Sequence, residues 1–378
     1  MSDQYTEVTT QGYFSRLGGS LIGVLIGLLL VPAAVILLYW NEGRAVDALV
    51  ALDLGAKQVI EVSAGSPDPA ADGKLVHMTG ELAAPNPARD PVFGVTGAGL
   101  VRLRRNVEMY QWREETHSET HENVGGSKTT ETTYTYRRDW SATPLVSSGF
   151  HHPEGHANPA MTVNSQTFDA SETRLGAYRL SPALLSQISA FTAQDPGAAI
   201  PDGYRRDGDA LYRGNDPANP AVGDLRIRFE AVPAQTYSVV AALAGGALAE
   251  YRGARDVTIA LAAPGVVSAA QQFKAKVAEE NTWTWILRGA GFVAMLIGFL
   301  LVARPVSMVL AILPFVEGIA EAGAFLIALI LAIPLTCLII AIAWIAHRPV
   351  IGGLLIVAAI GAFLLLHRLR PRRRVAAA

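Results

Sequence analysis

The run LGGSLIGVLIGLLLVPAAVILLYW, Leu17 to Trp40, holds 24 residues and no charge. As a helix it rises about 36 Å, which crosses a hydrocarbon core of about 30 Å. Tyr39 and Trp40 close it as interfacial aromatics do, and Pro32 is tolerated inside such a helix. Its length separates it from a secretory signal, whose apolar region spans roughly 7–15 residues. Three more apolar stretches follow near the other end. The first is 283–303, with Arg288 a few residues inside, where it can snorkel to the interface. The next is Ala324 to Ala346, and the last is 350–366. Only His347, Arg348 and Pro349 separate these two, a connection that forces an antiparallel helical hairpin.

These stretches explain a composition of 51% hydrophobic and 17% charged residues over 378, against roughly 25% charged in soluble domains. The single cysteine, Cys337, excludes an intramolecular disulfide and a cysteine zinc cluster. A net charge of −2 gives no ground for a nucleic-acid partner.

The tail 367–378 carries Arg368, Arg370, Arg372, Arg373 and Arg374 directly after the last apolar stretch. The positive-inside rule places it in the cytoplasm. Four spans (17–40, 283–303, 324–346, 350–366) then place residues 1–16 on the same side and 41–282 outside. Residues 304–323 read as a cytoplasmic interfacial segment, interrupted by Pro314 and Gly318. Glu317 and Glu321 share one helix face there and read as solvated carboxylates at headgroup level.

Residues 41–282 are a different material, rich in turns and period-two strands. The expected fold class is α+β: a polytopic helical membrane protein with a large β-rich extracytoplasmic domain. Arg44 to Lys57 predicts a short amphipathic helix with Ala45, Leu49, Leu52 and Ala56 on one face. Lys74 to Leu82 reads as a strand. The clearest alternation is VRLRRNVEMYQWREE, Val101–Glu115: Val101, Leu103, Arg105, Val107, Met109 and Gln111 point one way, and the intervening residues the other. Its expected hairpin partner is Thr129 to Trp140, with Arg102, Arg104 and Arg105 paired to Glu114, Glu115 or Glu131. Further strands are predicted at Met161–Phe168, Ala210–Arg213, Asp224–Glu230, Thr236–Leu243, Ala247–Tyr251 and Val257–Ala260. Pro182 to Phe191 predicts a helix capped by Ser181. Val267 to Glu280 predicts another, able to run on into the second span.

Chemistry is sparse. His117 and His121 stand about 13 Å apart if extended, too far to share an ion. HHPEGH offers His151, His152, Glu154 and His156 in a loop with no preformed geometry, so it reads as solvent-facing. Asp207, Asp209, Asn215 and Asp216 lack calcium-loop spacing and read as turn residues. No catalytic, cofactor-binding or metal residue is assigned, and no cofactor is expected.

NEGR at Asn41–Arg44, KLVHMTGEL at Lys74–Leu82, VRLRRNVEMYQWREE, NPAM at Asn158–Met161 and VGDLRIRF at Val222–Phe229 together resemble the transmembrane protein 43 (LUMA) family, in the same order and layout. The resemblance implies a self-associating membrane protein with no established enzymatic activity. Eukaryotic members reside in the endoplasmic reticulum and inner nuclear membrane and are linked to lamins and emerin. This chain is alanine- and glycine-rich with five lysines, a bacterial composition. The nuclear role therefore does not transfer, and the large domain becomes periplasmic in a bacterial inner membrane.

The leading expectation is a non-enzymatic scaffold that contacts the lipid bilayer, self-associates and binds unidentified protein partners, but not nucleic acid. Gly19, Gly23 and Gly27, at four-residue spacing, form a face suited to close helix packing, either between copies or within one chain. The alternatives are a channel or transporter subunit, poorly supplied with mid-membrane polar groups beyond Thr336 and Cys337, and a membrane-anchored hydrolase lacking a recognisable catalytic set.

Overall fold

The structure, a computed structural model, describes residues 3–123, 127–310 and 314–348. In chain order the first elements are β1 Asp3–Gln11, α1 Tyr13–Gln58, β2 Ile60–Glu61, β3 Leu75–Ala83, β4 Leu100–Glu122, β5 Lys128–Ser141, β6 Gln166–Asp169, β7 Arg174–Leu175, β8 Tyr178–Leu180, α2 Pro182–Gln187 and β9 Thr192–Gln194. They continue as β10 Arg205–Asp207, β11 Ala210–Arg213, β12 Leu225–Pro233, β13 Thr236–Ala244, β14 Ala247–Ala249, β15 Tyr251–Arg252, β16 Thr258–Ile259, β17 Leu261–Pro264, α3 Ala269–Leu310 and α4 Pro314–His347. The chain divides into two compact bodies, one built mainly from Ala51–His121 and Lys128–Lys276, the other from Gln11–Val50 and the residues from Val277 on.

The helical body holds the apolar sequence. Among the described residues three helices are long and apolar enough to cross a membrane: Gly18–Gln58, Ala269–Pro305 and Ala322–His347. The span 350–366 and the tail 367–378 lie outside the described residues. α1 is one helix of 46 residues, and α3 one of 42. The separate helix expected at 44–57 is thus the continuation of the first span, because nothing between Trp40 and Lys57 breaks a helix. Its buried face is turned from the expected one. Ala45, Ala48 and Leu52 are buried, but Ala56 is exposed, and Gly55 packs on Leu75, Ile259 and Phe273. α3 likewise joins 269–282 to the second span and runs on to Leu310. Residues 304–323 are therefore helical on either side of 311–313.

The β-rich body has two main sheets. One runs β1-β5-β4-β12-β11-β10, with β6 added to β4 and β9 to β12; the other runs β17-β13-β14-β8-β7-β3-β2, with β13 also paired to β3. β4 alternates as expected, and Val101, Leu103, Arg105, Val107, Met109 and Gln111 are all buried. With β12 in antiparallel register, Met109 opposite Leu225 and Leu103 opposite Ala231, Leu103, Val107 and Met109 build a core completed by Phe93 and Val95, while Val101 joins the core of the other sheet. A second core lies on the other sheet, where Leu184, Leu185 and Ile188 meet Met78, Val239 and Leu243.

Several boundaries moved for local reasons. The strand predicted at Met161–Phe168 begins at Gln166, because the Ser165 hydroxyl, not a backbone carbonyl, accepts the Val107 N–H. α2 is capped by Ser181 as expected but ends at Gln187. Ile188 is extended, and its carbonyl accepts from Arg102.

The arginine pairings differ from expectation. Arg102 meets Asp169 at 2.7 Å, Arg104 meets Glu230 at 3.5 Å, and Arg105 meets Asp90 at 2.7 Å. The half of β4 that carries these arginines pairs with β6 and β12, whereas Glu114, Glu115 and Glu131 belong to its far half and to β5. One further difference concerns the N-terminus. Residues 3–11, read as part of a cytoplasmic stub of 1–16, form β1 on the edge of the sheet beside β5.

Candidate functional site

In the helical body Asn41, Glu42 and Arg44 of NEGR each bond to α3. Glu42 is 2% exposed and takes both teeth of the Arg288 guanidinium: Nε to Oε1 at 2.6 Å and Nη2 to Oε2 at 2.8 Å. Arg44 donates to Glu280 at 2.6 Å and to the Thr284 hydroxyl at 3.4 Å. Asn41 donates to the Thr284 carbonyl at 3.1 Å. A Cβ on Gly43 would stand 2.5 Å from the His347 ring. α1 and α3 are thus locked by charge-assisted hydrogen bonds. Arg288, expected to snorkel, is instead half-buried in an ion pair. Its partner Glu42 stood in plain sight in the sequence, but a pair 246 positions apart leaves no local signal.

The glycine face packs within the chain. A Cβ on Gly27 would lie 2.6 Å from the Gly298 carbonyl, one on Gly298 would lie 2.7 Å from Val31, and Gly23 faces Leu301. Gly19 faces open space. The spacing of Gly23 and Gly27 is therefore used by α3, and it no longer argues for contact between copies.

In the β-rich body NPAM and VGDLRIRF meet along β4, whereas KLVHMTGEL forms β3 in the other sheet. Asn158 of NPAM acts as a one-residue strand: its Oδ1 accepts from Trp112 N at 2.7 Å, and its Nδ2 donates to the Trp112 carbonyl at 2.9 Å. Gly223 sits at φ +100°, where a Cβ would strike Pro159 at 2.9 Å. Its N–H donates to the Tyr110 carbonyl at 2.8 Å. His77, from KLVHMTGEL, is buried between Glu61 at 2.6 Å and the Val267 carbonyl at 2.9 Å.

The HHPEGH stretch is more ordered than a solvent-facing loop. His156 is 1% exposed and stacks on Tyr136 at 4.0 Å. His151 stacks on Tyr134 at 4.1 Å, and its Nδ1 lies 3.0 Å from Glu114. Desolvation alone would raise the Glu114 carboxyl, but hydrogen bonds from the Tyr136 hydroxyl and from His151 hold it below the ordinary glutamate range. Tyr136 is pushed up to about 12, first by desolvation and then by its 2.5 Å bond to Glu114. A hydroxyl so committed is no nucleophile near neutral pH. His151 and His156 contact different carboxylates, Glu114 and Asp3.

Other sequence candidates disperse. Among the described residues no group of three or more histidine, cysteine or acidic side chains could hold a metal ion. His117 lies 3.5 Å from Glu119 on an exposed strand. Asp216 accepts from Asn219 and Ala218 in a turn, and Asp209 meets Arg228 at 3.5 Å. The Thr336 hydroxyl is spent on Met295 Sδ at 3.5 Å, and Cys337 is exposed. The side chains of Glu317 and Glu321 lie outside the described set.

Among the described residues, three apolar helices long enough to span a membrane, with a large β-rich body whose sequence lies largely between the first and the second, define a multi-pass membrane protein. The family model for transmembrane protein 43 matches residues 109–349. Transmembrane protein 43 of Mus musculus is 32% identical over 373 residues, covering 93% of this chain and 92% of its own. The Drosophila melanogaster homolog is 30% identical over 349 residues, 88% and 91% of the two chains. The Homo sapiens protein is 32% identical over 368 residues, 92% and 90%. The chain belongs to the transmembrane protein 43 family. No solved structure matches it.

Proposed function

We propose that the chain is a non-enzymatic scaffold of a bacterial inner membrane, which self-associates and binds protein partners through its β-rich region. The observation that carries this reading is the use made of NEGR. α1 and α3 are each continuous through the point where apolar sequence gives way to polar, and there Asn41, Glu42 and Arg44 fasten one to the other. Asn41 Nδ2, the Glu42 carboxylate and Arg44 Nη1 bond across to α3 and fasten the two helices, while Asn41 Oδ1 and Arg44 Nε are buried with no hydrogen-bond partner among the described residues. α4 adds exposed apolar side chains, among them Leu326, Ile330, Ile333 and Ile342, which suit lipid or a second copy.

In this reading residues 41–282 are periplasmic and the basic tail is cytoplasmic. The N-terminal strand bears on the plan, because four crossings leave residues 1–16 in the cytoplasm while β1 pairs with β5. Mass photometry of the full chain in nanodiscs tests the scaffold reading. A defined multimer supports it; a clean monomer removes self-association and leaves an adaptor. Ion flux in proteoliposomes that vanished with Glu321→Gln would favour the channel instead.

A further inference from the structure

The far half of β4 presents an uncovered backbone edge. Successive residues of an antiparallel strand turn their N–H and C=O groups to opposite neighbours. Tyr110 and Trp112 turn theirs away from β5. The Tyr110 N–H donates to the Asp224 carbonyl and its carbonyl accepts from Gly223, while Trp112 exchanges both bonds with Asn158. The alternation gives Glu114, Thr116, Ser118 and Thr120 the same outward direction. β12 stops pairing at Met109, and among the described residues no strand covers the continuation. Every residue from Glu115 to His121 is exposed. The inner side of the strand is fixed in register on β5, with the Ser118 and Thr120 hydroxyls 3.1 and 3.2 Å from those of Thr132 and Thr130. Proteins commonly blunt such an edge with proline or lysine, and 114–121 holds neither.

What the edge carries is ETHSETH, Glu115–His121, a sequence complementary to its own reverse. Two such edges can pair antiparallel only with outward-facing residues opposite one another, which leaves few registers. Centring on Ser118 sets Thr116 opposite Thr120 of the second copy. It also sets His117 opposite Glu119 and Glu115 opposite His121. These Glu–His pairs fall at the close, non-hydrogen-bonded positions, where Cα atoms stand about 4.5 Å apart. An imidazole N–H donates to a carboxylate whether the ring is neutral or charged. Sliding one strand by two residues, in either direction, sets Glu119 against a glutamate and His117 against a histidine, and like charges directly opposite are unfavourable. Sliding by four runs Thr120 onto Trp112, whose outward groups are held by Asn158, or runs past the end of β4 at Glu122.

We propose that this edge of β4 is a homotypic interface: a second copy adds its own β4 antiparallel to the first, centred on Ser118. The inference rests on the self-association proposed above and supplies its contact. Thr116, Ser118 and Thr120 of the two copies exchange about six backbone hydrogen bonds, two for each facing pair. Main-chain bonds hold the strands together, and the alternation of glutamate and histidine selects the register and the partner.

The test is oxidative crosslinking of the full chain in native membranes, with Cys337→Ser and one new cysteine at a time. Ser118→Cys faces its own counterpart at about 5.5 Å between Cα atoms, within the range a disulfide spans. Thr116→Cys and Thr120→Cys stand about 13 Å from their own counterparts. Ser118→Cys should therefore give at least about fivefold more covalent dimer than either, and co-expressing Thr116→Cys with Thr120→Cys should restore it. Adding His117→Glu and His121→Glu, both at exposed positions, should abolish the Ser118→Cys dimer. Equal yields from the three single cysteines overturn the interface, as does a Ser118→Cys dimer that survives the two glutamates. A disulfide from Ser118→Cys to a different membrane protein, in place of its own copy, assigns the edge to that partner and overturns homotypic pairing. Mass photometry of the same chain separates this inference from self-association itself. A monomer sinks both, whereas a multimer in which Ser118→Cys stays uncrosslinked sinks the edge alone.

Discussion

Glu42 on α1 and Arg288 on α3, 246 positions apart in the chain, face each other as a two-toothed ion pair at 2.6 and 2.8 Å. Such a pair is costly to break from one side, because the survivor is left charged and poorly solvated. Glu42→Ala should lower stability by about 3 kcal/mol, read by thermal unfolding of the full chain in nanodiscs. Glu42→Leu with Arg288→Met should cost less than either single change. If the double variant is as damaged as Glu42→Ala, the ion pair is not what fastens α1 to α3.

Gly27 and Gly298 set how closely the same helices approach. A side chain at Gly27 must displace a backbone carbonyl, whereas one at Gly19 meets open space. Gly27→Leu should therefore destabilise by about 1–3 kcal/mol or more, as overpacking does, and Gly19→Leu by almost nothing. Copy number should follow neither change. A multimer that dissociated with Gly19→Leu while unfolding stayed normal would return that glycine to an interface between copies.

What the sequence disclosed divides by range. Apolar runs and period-two alternation are local, and they placed three of the expected spans and β4, with its buried Arg105 and Gln111. Partners are not local. Arg105 was expected opposite an acid of its own hairpin, but it donates to Asp90, a fully buried loop carboxylate that also accepts from Val92 and Phe93. β1 was illegible for a related reason. DQYTEVTTQ has no apolar face to alternate, and it is a strand only because β5 offers an edge. His156 looked like a loop histidine because its burial comes from Tyr136 and Trp112, both remote in sequence.

Asn158 replaces a missing strand. Three of its side-chain bonds go to backbone groups: Trp112 N, the Trp112 carbonyl and, at 3.3 Å, the Leu145 carbonyl. Asn158→Ala leaves these unpaired, and at roughly 0.5–1.5 kcal/mol for each of the three bonds should cost about 1.5–4.5 kcal/mol. Asn158→Asp keeps the acceptor but loses both donors, so it should fall between. Amide exchange at Trp112 is the direct reading: faster exchange in the alanine variant with Tyr110 unchanged is expected, and equal protection at both positions would refute the role.

The pairing of β1 with β5 bears on a question of sidedness that charge counting answers differently. Residues hydrogen-bonded in one sheet share one compartment, so Thr10 and Thr129, whose hydroxyls lie 3.4 Å apart, must be reached from the same side of the membrane. The four-crossing plan puts them on opposite sides. With Cys337→Ser, a membrane-impermeant maleimide applied to intact cells' spheroplasts and to inverted vesicles separates the two. Thr10→Cys and Thr129→Cys should label in the same preparation. Arg370→Cys, in the basic tail that the proposed topology places in the cytoplasm, supplies the reference. Thr10→Cys labelling together with Arg370→Cys while Thr129→Cys labels from the other face would mean that β1 does not dock on β5 in the membrane, and that the N-terminus keeps the side its neighbouring Arg16 suggests.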